Sequence, residues 1–312
     1  MSDKKYSIFS HQGGLGKSIA ATAVAQAIKN NHKDRELLVV TPWPELWINL
    51  PFVHRVFPLG ATQYFYEEFV RDKGSLIFGN EPYFTHTHIN MELPLVESWC
   101  KMYQIDYNGE QPMVRINSEQ RRAIRNFYEP IFEGKELLIL HCCGGLYTNQ
   151  KTFCWQRDMP LEVATKVAKH FQQKGMFVMQ VTRPVSYRIP DVFVRHEQLS
   201  QVELIGLLEL SSKRLLIDSS MQHGSCALGL PATVLWNATN PLLFGHKIHT
   251  NIVAKQKPHK PLPGAFLFDY SFDGSENEWP YEEGDEKDLY NIDQIISSLE
   301  AQTNTPKKGF GN

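Results

Sequence analysis

The sequence predicts an α/β protein built from two doubly wound domains, each a parallel sheet covered by helices. Three observations lead to this prediction. The chain has 312 residues, enough for two domains of about 100–200 residues each. Short apolar runs alternate with stretches of helical periodicity, which is typical of parallel sheets. The alternation starts a second time after Glu129-Pro130, so the chain carries two series of elements rather than one.

The first series alternates strand-like apolar runs with amphipathic stretches. The predicted strands are Tyr6–Ser10, Leu37–Thr41, Val53–Leu59 and Leu76–Gly79. The predicted helices are Ile19–Lys29, Tyr64–Arg71, Leu93–Tyr103 and Ser118–Phe127. We expect Ser118 to cap the last helix, because its side-chain oxygen can accept from the free N–H groups of the first turn.

The second series repeats this pattern. Its predicted strands are Leu137–His141, Phe177–Val181, Val192–Val194, Arg214–Ile217 and Thr233–Trp236. Its predicted helices are Leu161–Gln173, which Gly175 ends, and Val202–Leu210, followed near the C-terminus by Asp288–Glu300.

These patterns divide the chain into four parts, with the main boundary near Tyr128–Lys135. The parts are residues 1–132, a first Rossmann-like domain; 133–260, a second; 261–302, an extension with a helix free to cross back to the first domain; and 303–312, a disordered tail.

Composition and charge argue against several classes of protein. With 32 Lys and Arg against 34 Asp and Glu, the net charge is −2, which gives no overall attraction to nucleic acid or membranes. No apolar run reaches the ~18 residues of a transmembrane helix, and the start of the chain has no apolar signal segment. We therefore expect a cytoplasmic protein without stable membrane insertion. The five cysteines form no CxxC pair, so we expect reduced thiols rather than a disulfide framework or zinc ribbon.

A glycine-rich loop joins the first predicted strand to the first predicted helix. Gly13, Gly14 and Gly16 let the backbone turn tightly and let a ligand approach the helix N-terminus. The N–H groups and the dipole at a helix N-terminus favour an anion. The loop is therefore a candidate phosphate site, or a close-packed turn without ligand.

The ending Gly16-Lys17-Ser18 also allows a P-loop ATPase interpretation. A Walker A loop, however, requires glycine where His11 stands, and the variant loop of ParA/MinD-like ATPases has lysine where Gln12 stands. The candidate Walker B strand, Leu215–Asp218, lies far away in the second series.

A second strand-to-helix turn carries more polar chemistry. A buried strand delivers Asp218 to its carboxyl end, and Ser219 and Ser220 then place hydroxyl and N–H groups at a helix start. His223 follows within the first turn of that helix. Ligands of open α/β sheets bind at such carboxyl ends, so this turn is the strongest candidate for an anion site.

Here the sequence resembles the heptosyltransferase-like glycosyltransferases of family 9, which have the GT-B fold. Their signature is a strand, then Asp-[Ser/Thr]-Gly-x-x-His, a helix ending in Leu-Gly-x-Pro, a strand and a Gly-x-Thr-x-Pro loop. The matching residues are Asp218, Ser219, His223, Gly229, Pro231, Thr239 and Pro241, with Ser220 where glycine is usual. The first glycine loop and the stretch Leu140–Lys151 also look like their counterparts in this family.

The resemblance implies two Rossmann-like domains with a cleft between them and a metal-independent transfer of a sugar from a nucleotide-sugar donor to an acceptor hydroxyl. No cofactor is implied beyond that co-substrate. The acceptor would bind mainly to the N-terminal domain. The C-terminal domain would bind the donor, and the residues implied for donor and cleft are Lys151, Thr148, Asp218, Ser219, Ser220, His223, Gly13, Gly14 and Gly16.

One departure from the family affects the catalytic assignment. The family commonly has an aspartate as general base directly after the loop's last glycine, where this chain has Lys17. A protonated lysine accepts no proton, but it can bind a phosphate as a point charge. We assign Lys17 and His11 as the catalytic candidates, and the other candidates for the base are Glu81, His86, His88 and Glu92.

The acceptor stays open at this stage. A lipopolysaccharide-type glycan is what the family implies, and DNA with modified bases is an alternative known from phage enzymes of the same broad fold. A nucleotide-binding protein without catalysis is a further alternative, as is the ATPase. We expect a monomer, and the sequence does not distinguish a hexosyl, heptosyl or pentosyl donor.

Overall fold

The protein is described from a computed structural model. It describes residues 4–144, 157–183, 186–195, 199–237, 239–255 and 289–304. These residues form two parallel sheets with helices packed against them, which confirms the predicted α/β class. Most of the predicted extension before the last helix, and residues 305–312 of the expected disordered tail, lie outside the described residues. The first tail residues are described, and Asn304 Oδ1 accepts hydrogen bonds from Arg214 at 3.2 Å.

The N-terminal sheet has four parallel strands in the order β3-β2-β1-β4. They are β1 (Lys5–Ser10), β2 (Glu36–Thr41), β3 (Arg55–Pro58) and β4 (Gly74–Phe78). The helices of this part are α1 (Leu15–Asn31), α2 (Phe65–Phe69), α3 (His86–Ile89), α4 (Leu95–Met102) and α5 (Ser118–Tyr128). Because β1 pairs with both β2 and β4, the loops after these three strands meet at one edge.

The C-terminal sheet has six parallel strands in the order β10-β9-β8-β5-β6-β7. They are β5 (Leu137–Leu140), β6 (Phe177–Val181), β7 (Phe193–Arg195), β8 (Lys213–Ile217), β9 (Thr233–Trp236) and β10 (Thr250–Val253). The helices are α6 (Leu161–Gln173), α7 (Gln201–Leu210), α8 (Ser220–Ala227), α9 (Pro241–Phe244) and α10 (Ile292–Glu300). Strand order reverses between β5 and β8, so the crevice for a ligand lies at their carboxyl ends.

The structure corrects two details of the sequence analysis. Helix α5 is capped by Asn117 rather than Ser118, and Asn117 forms a capping box with Gln120. Helix α10 packs against α6, β8 and β9, so this helix stays on the C-terminal sheet instead of crossing back. Its buried residues Ile295 and Leu299 belong to the apolar core of that sheet.

Helices from the two halves of the chain pack against each other where the two sheets meet. Helix α1 packs against α8, and α5 packs against α7. At the second contact, a Cβ on Gly206 would lie 2.9 Å from Ile124 Cγ2, so the helices approach closely only because Gly206 has no side chain. One apolar cluster includes residues of both sheets. The boundary at 132/133 stays a prediction.

The described cysteines are free and buried, and Cys154 lies outside the described residues. A helix with both the length and the apolar character needed to cross a bilayer is absent from the described part of the chain.

Candidate functional site

The two turns singled out from the sequence face each other across the junction of the two sheets. One is the glycine loop between β1 and α1, and the other joins β8 to α8. A Cβ on Gly16 would lie 3.3 Å from both the N and the Cα of Ser220, and 3.0 Å from Cδ2 of His223. The structure therefore brings Gly16 into contact with the start of α8, and this close approach favours glycine over residues with a side chain.

The start of α8 presents backbone N–H groups at the floor of this cleft. Ser219 is the N-cap residue, and its side chain accepts a hydrogen bond from the Met221 N–H at 3.3 Å. Asp218 precedes it at the end of β8 and is only 7% exposed. An eight-residue helix that begins at a sheet's carboxyl edge attracts an anion to its first turn.

Arg157 adds a cation beside this helix start. Its Nε lies 4.0 Å from Asp218 Oδ2, and a Cβ on Gly144 would lie 3.7 Å from its Cδ. Arg157 thus lies at the carboxyl ends of β5 and β8, where strand order reverses. The sequence analysis assigned the corresponding cation to Lys151, with Thr148 beside it, and both of these lie outside the described residues.

The turn below Arg157 is held by Asp158. Its carboxylate accepts a hydrogen bond from the Gly144 N–H at 2.8 Å and an ion pair from Arg183 at 3.3 Å. Because Asp158 is fully buried, these partners offset the cost of removing its charge from water. Asp158 therefore holds the backbone next to Arg157, the preceding residue, in a fixed position.

His223 is a buried, uncharged imidazole rather than a cation. Its Nδ1 lies 2.8 Å from Nε2 of His246, so one of the two rings donates to the other. Burial lowers the pKa of His223 to about 4, although Asp218 opposes this shift. Burial and the two neighbouring histidines, His223 and His249, hold the pKa of His246 well below its ordinary value. The predicted donor residue His223 thus lies at the site in its neutral form.

The opposite wall of the cleft carries an ion pair. Lys17 Nζ lies 2.7 Å from Glu81 Oε2, and the Gln12 N–H donates to Glu81 Oε1 at 2.9 Å. Lys17 reaches this position by folding over Gly13, whose φ of +96° favours glycine. A Cβ on Gly13 would lie 2.7 Å from Lys17 Nζ, so a larger residue would displace the lysine.

Tyr83 lies near charged residues from both halves of the chain. The Lys17 ammonium lies 4.9 Å from the centroid of its ring, a cation–π distance. Burial raises the pKa of the Tyr83 phenol, and the charges that also act on it are Glu81, Arg157 and Asp218. One cleft therefore contains charged groups from both halves of the chain.

His11 lies beneath the glycine loop and not on the cleft wall. It is 1% exposed, and its Nε2 lies 3.3 Å from Ser18 Oγ. Trp47 Nε1 donates to the same hydroxyl at 3.0 Å. Burial lowers the pKa of His11 to about 4, so its neutral ring supports the loop from below. Its catalytic role stays a prediction without support from this geometry.

The remaining base candidates lie on α3 and beyond it. His86 and Glu92 are exposed and pair with each other at 3.3 Å. His88 is 1% exposed and packs between the rings of Tyr83 and Phe244. Among the described residues, no group of three or more His, Cys, Asp or Glu side chains is arranged to hold a metal ion.

The fold and the cleft define a GT-B protein: two Rossmann-like domains, each with a strand-to-helix turn facing the other. In sequence alone, no protein-family model and no curated protein matches the chain. Comparison with solved structures gives clear matches.

A family 9 glycosyl transferase from Veillonella parvula is 14% identical, with a TM-score of 0.68 over 96% of this chain and 97% of that one. The E. coli ADP-heptose lipopolysaccharide heptosyltransferase II is 11% identical, with a TM-score of 0.62 over 95% of this chain and 100% of that one. The E. coli heptosyltransferase WaaC with ADP is 12% identical, with a TM-score of 0.52 over 83% and 94% of the two chains. At these identities the likeness shows the shared fold.

Proposed function

We propose that this protein is a glycosyltransferase that transfers a sugar from a nucleotide-sugar donor to an acceptor hydroxyl. The observation that carries this proposal is the meeting of the two turns, with Gly16 packed on Ser220. As a result, the start of α8, which attracts anions, lies opposite the ion pair of Glu81 and Lys17. A donor diphosphate and an acceptor hydroxyl can thus be held face to face.

The donor diphosphate would bind to the N–H groups of Ser219 and Ser220 and to the guanidinium of Arg157. Binding through guanidinium and helix dipole would stabilise the charge that develops on the leaving diphosphate. Thr239, in the loop that follows β9, is buried, and its Oγ1 has no hydrogen-bond partner among the described residues, which suits a hydroxyl that binds ligand. Lys151 and Thr148 remain proposed donor ligands from the resemblance.

We propose that the donor carries its sugar on a nucleoside diphosphate. The similar WaaC structure contains ADP, and the similar TibC structure contains ADP-D-β-D-heptose. We propose that cations of the protein replace a metal ion here. The similar TibC is iron-containing and dodecameric, and we propose that this chain differs from it in acting as a monomer and without a metal ion.

The acceptor is proposed to be a glycan hydroxyl, held by the N-terminal wall around Lys17 and Tyr83. A DNA acceptor has no support from the described surface and stays an alternative from the sequence alone. Cytoplasmic location is likewise proposed.

The described residues do not have the arrangement of a P-loop ATPase. A P-loop domain has its Walker B strand in the same sheet as the P-loop strand, whereas β1 and β8 belong to different sheets. Ser18, which would bind Mg²⁺ in a P-loop, instead lies within hydrogen-bond distance of His11 and Trp47.

A thermal-shift titration with ADP, UDP, GDP and CDP tests the donor site. We expect one of them to raise Tm, since a ligand at 100 times its Kd stabilises the native state by about 2.7 kcal/mol. Arg157→Met should weaken binding by about 10–100-fold, because a hydrogen bond to a charged group contributes about 1.5–3 kcal/mol.

Arg122→Met is the matched control, because Arg122 is exposed on α5, which packs against α7 rather than against α8. If no nucleoside diphosphate shifts Tm, or if Arg157→Met binds as well as Arg122→Met, the donor site is assigned wrongly.

A further inference from the structure

We propose that Glu81 is the general base that accepts the proton of the acceptor hydroxyl, and that Lys17 is its positioning residue. This inference rests on the proposed glycosyl transfer. In the family that the sequence resembles, an aspartate of the glycine loop is the general base, and this chain has Lys17 at that position. Glu81 would provide the missing carboxylate from a different segment.

The topology of the N-terminal sheet brings Glu81 to the glycine loop. β1 and β4 are parallel neighbours, so the chain leaves both strands at the same edge of the sheet. Glu81 follows β4 in extended conformation and precedes the short 3-10 turn Pro82–Phe84. Although it is 69 residues from Gln12, its carboxylate accepts the Gln12 N–H at 2.9 Å.

The ion pair fixes the carboxylate without using up its capacity to accept protons. Oε1 accepts from the Gln12 N–H, and Oε2 accepts from Lys17 at 2.7 Å. An ionised carboxylate offers about four lone-pair sites, so two stay open. The Glu81 side chain is 24% exposed and the Lys17 side chain 15%, so a substrate can reach the pair from the cleft.

The other candidates lack this combination of access and position. His11 and His88 are each 1% exposed, so neither ring can touch a hydroxyl in the cleft in this conformation. His86 and Glu92 pair with each other on the exposed rim. Glu81 alone among these candidates lies both on the glycine loop and within reach of solvent.

The acceptor oxygen forms a bond to the anomeric carbon, and the bond from that carbon to the diphosphate oxygen breaks. The electron pair of that bond leaves on the diphosphate beside Arg157 and the start of α8. The acceptor's proton moves to a carboxylate oxygen of Glu81, and Lys17 keeps its own protons throughout.

The test measures release of nucleoside diphosphate from ADP-, UDP- and GDP-linked hexoses, with water or added glycan as acceptor. Glu81→Gln keeps the size of the side chain and a polar contact to Gln12, so we expect unchanged ADP or UDP binding. Its kcat should fall by about 10²–10⁴-fold, the usual contribution of a general base. Glu119→Gln, exposed in the first turn of α5, should keep wild-type kcat.

A transplant of the base separates a catalytic from a structural role. In the double variant Lys17→Asp with Glu81→Gln, the carboxylate returns to position 17, and we expect it to recover at least tenfold of the kcat lost in Glu81→Gln. The assignment of Glu81 as the base is overturned if Glu81→Gln keeps wild-type kcat. It is also overturned if the double variant folds and binds nucleotide but recovers no kcat. Either result leaves the proposed glycosyl transfer standing. A wild-type protein that turns over no nucleotide sugar overturns the proposed function, and this assignment with it.

Discussion

The turns β1–α1 and β8–α8 have the same architecture but opposite electrostatics. Both leave a buried parallel strand and enter a helix whose first N–H groups point into the cleft. In β1–α1, Gly14 is the N-cap residue and provides no side-chain hydrogen bond, and a lysine stands in the first turn. In β8–α8, Ser219 caps the helix, and the nearest cation is Arg157 on a different element.

This difference indicates which of the two helix starts is available to a ligand. A lysine in the first turn of a helix opposes the helix dipole, and a carboxylate near that turn offsets it. Glu81 provides this carboxylate for Lys17 and also accepts the Gln12 N–H of the loop before α1, so the protein's own anion already offsets the lysine at this turn. At the start of α8 no lysine stands in the first turn, and Arg157 lies 4.0 Å from Asp218, the carboxylate that precedes the helix. We propose that this helix start is the one that binds the diphosphate.

The largest expected effect is on stability in acid, and it should involve both turns. His11 and His223 each have a folded-state pKa of about 4, below the ordinary value of 6.5, because burial disfavours the charged form. The unfolded chain therefore binds more protons between these values. Stability is full above about pH 6.5 and falls as pH drops toward 4, by up to about 3 kcal/mol per histidine.

Urea unfolding at pH 7.5, 6 and 5 measures this slope. His11→Asn should make the slope shallower, because it removes one of the protons taken up on unfolding. A free energy of unfolding that is constant or rises from pH 7.5 to 5 contradicts the buried, neutral state of these rings.

The next effect concerns the charge that distinguishes the β1–α1 turn. Lys17→Met leaves the Glu81 carboxylate without its cation, and we expect kcat to fall about 10–100-fold, since a charged hydrogen bond contributes about 1.5–3 kcal/mol. Donor binding should change less than in Arg157→Met, because Arg157 lies on the α8 side. Steady-state kinetics and nucleotide titrations of the two variants check this difference. Equal loss of donor affinity in both would remove the distinction between the turns.

A smaller effect tests the contact between the turns. Gly16→Ser adds a side chain 3.0 Å from His223 Cδ2 and 3.3 Å from the backbone of Ser220, so we expect a loss of about 1–3 kcal/mol from overpacking. Gly14→Ser is the matched control, because a Cβ there meets nothing within 4 Å and its backbone suits an N-cap serine. It should stay within about 0.5 kcal/mol of wild type in urea unfolding. Equal stability of the two variants would mean that the turns do not touch in solution.

Local patterns allowed much of this arrangement to be predicted. The alternation of strands and helices gave both series, and Asp218 and Ser219 follow directly from a buried strand and a helix start. Arg157 was not singled out, because its neighbours in the sequence form no recognisable motif. Its place beside Asp218 comes from the approach of β5 and β8, and its role in donor binding stays a proposal. Glu81 was only one of several base candidates, because its contact with Gln12 arises from the pairing of β1 with β4.

Helix α10 shows a similar limit. Its apolar periodicity predicts a buried face, but not which sheet covers that face. The contacts that decide it are specific to the C-terminal sheet, such as the hydrogen bond between Thr233 and Ser298 at 2.7 Å. Asn117 and Ser118 are both good N-cap residues, and the capping box with Gln120 favours Asn117.

A crystal structure with the nucleoside diphosphate that gives the largest thermal shift tests the central claim most directly. We expect the terminal phosphate within about 3 Å of the Ser219 or Ser220 N–H and of the Arg157 guanidinium. A phosphate bound instead on the glycine loop beside Lys17, with Glu81 displaced, would contradict it.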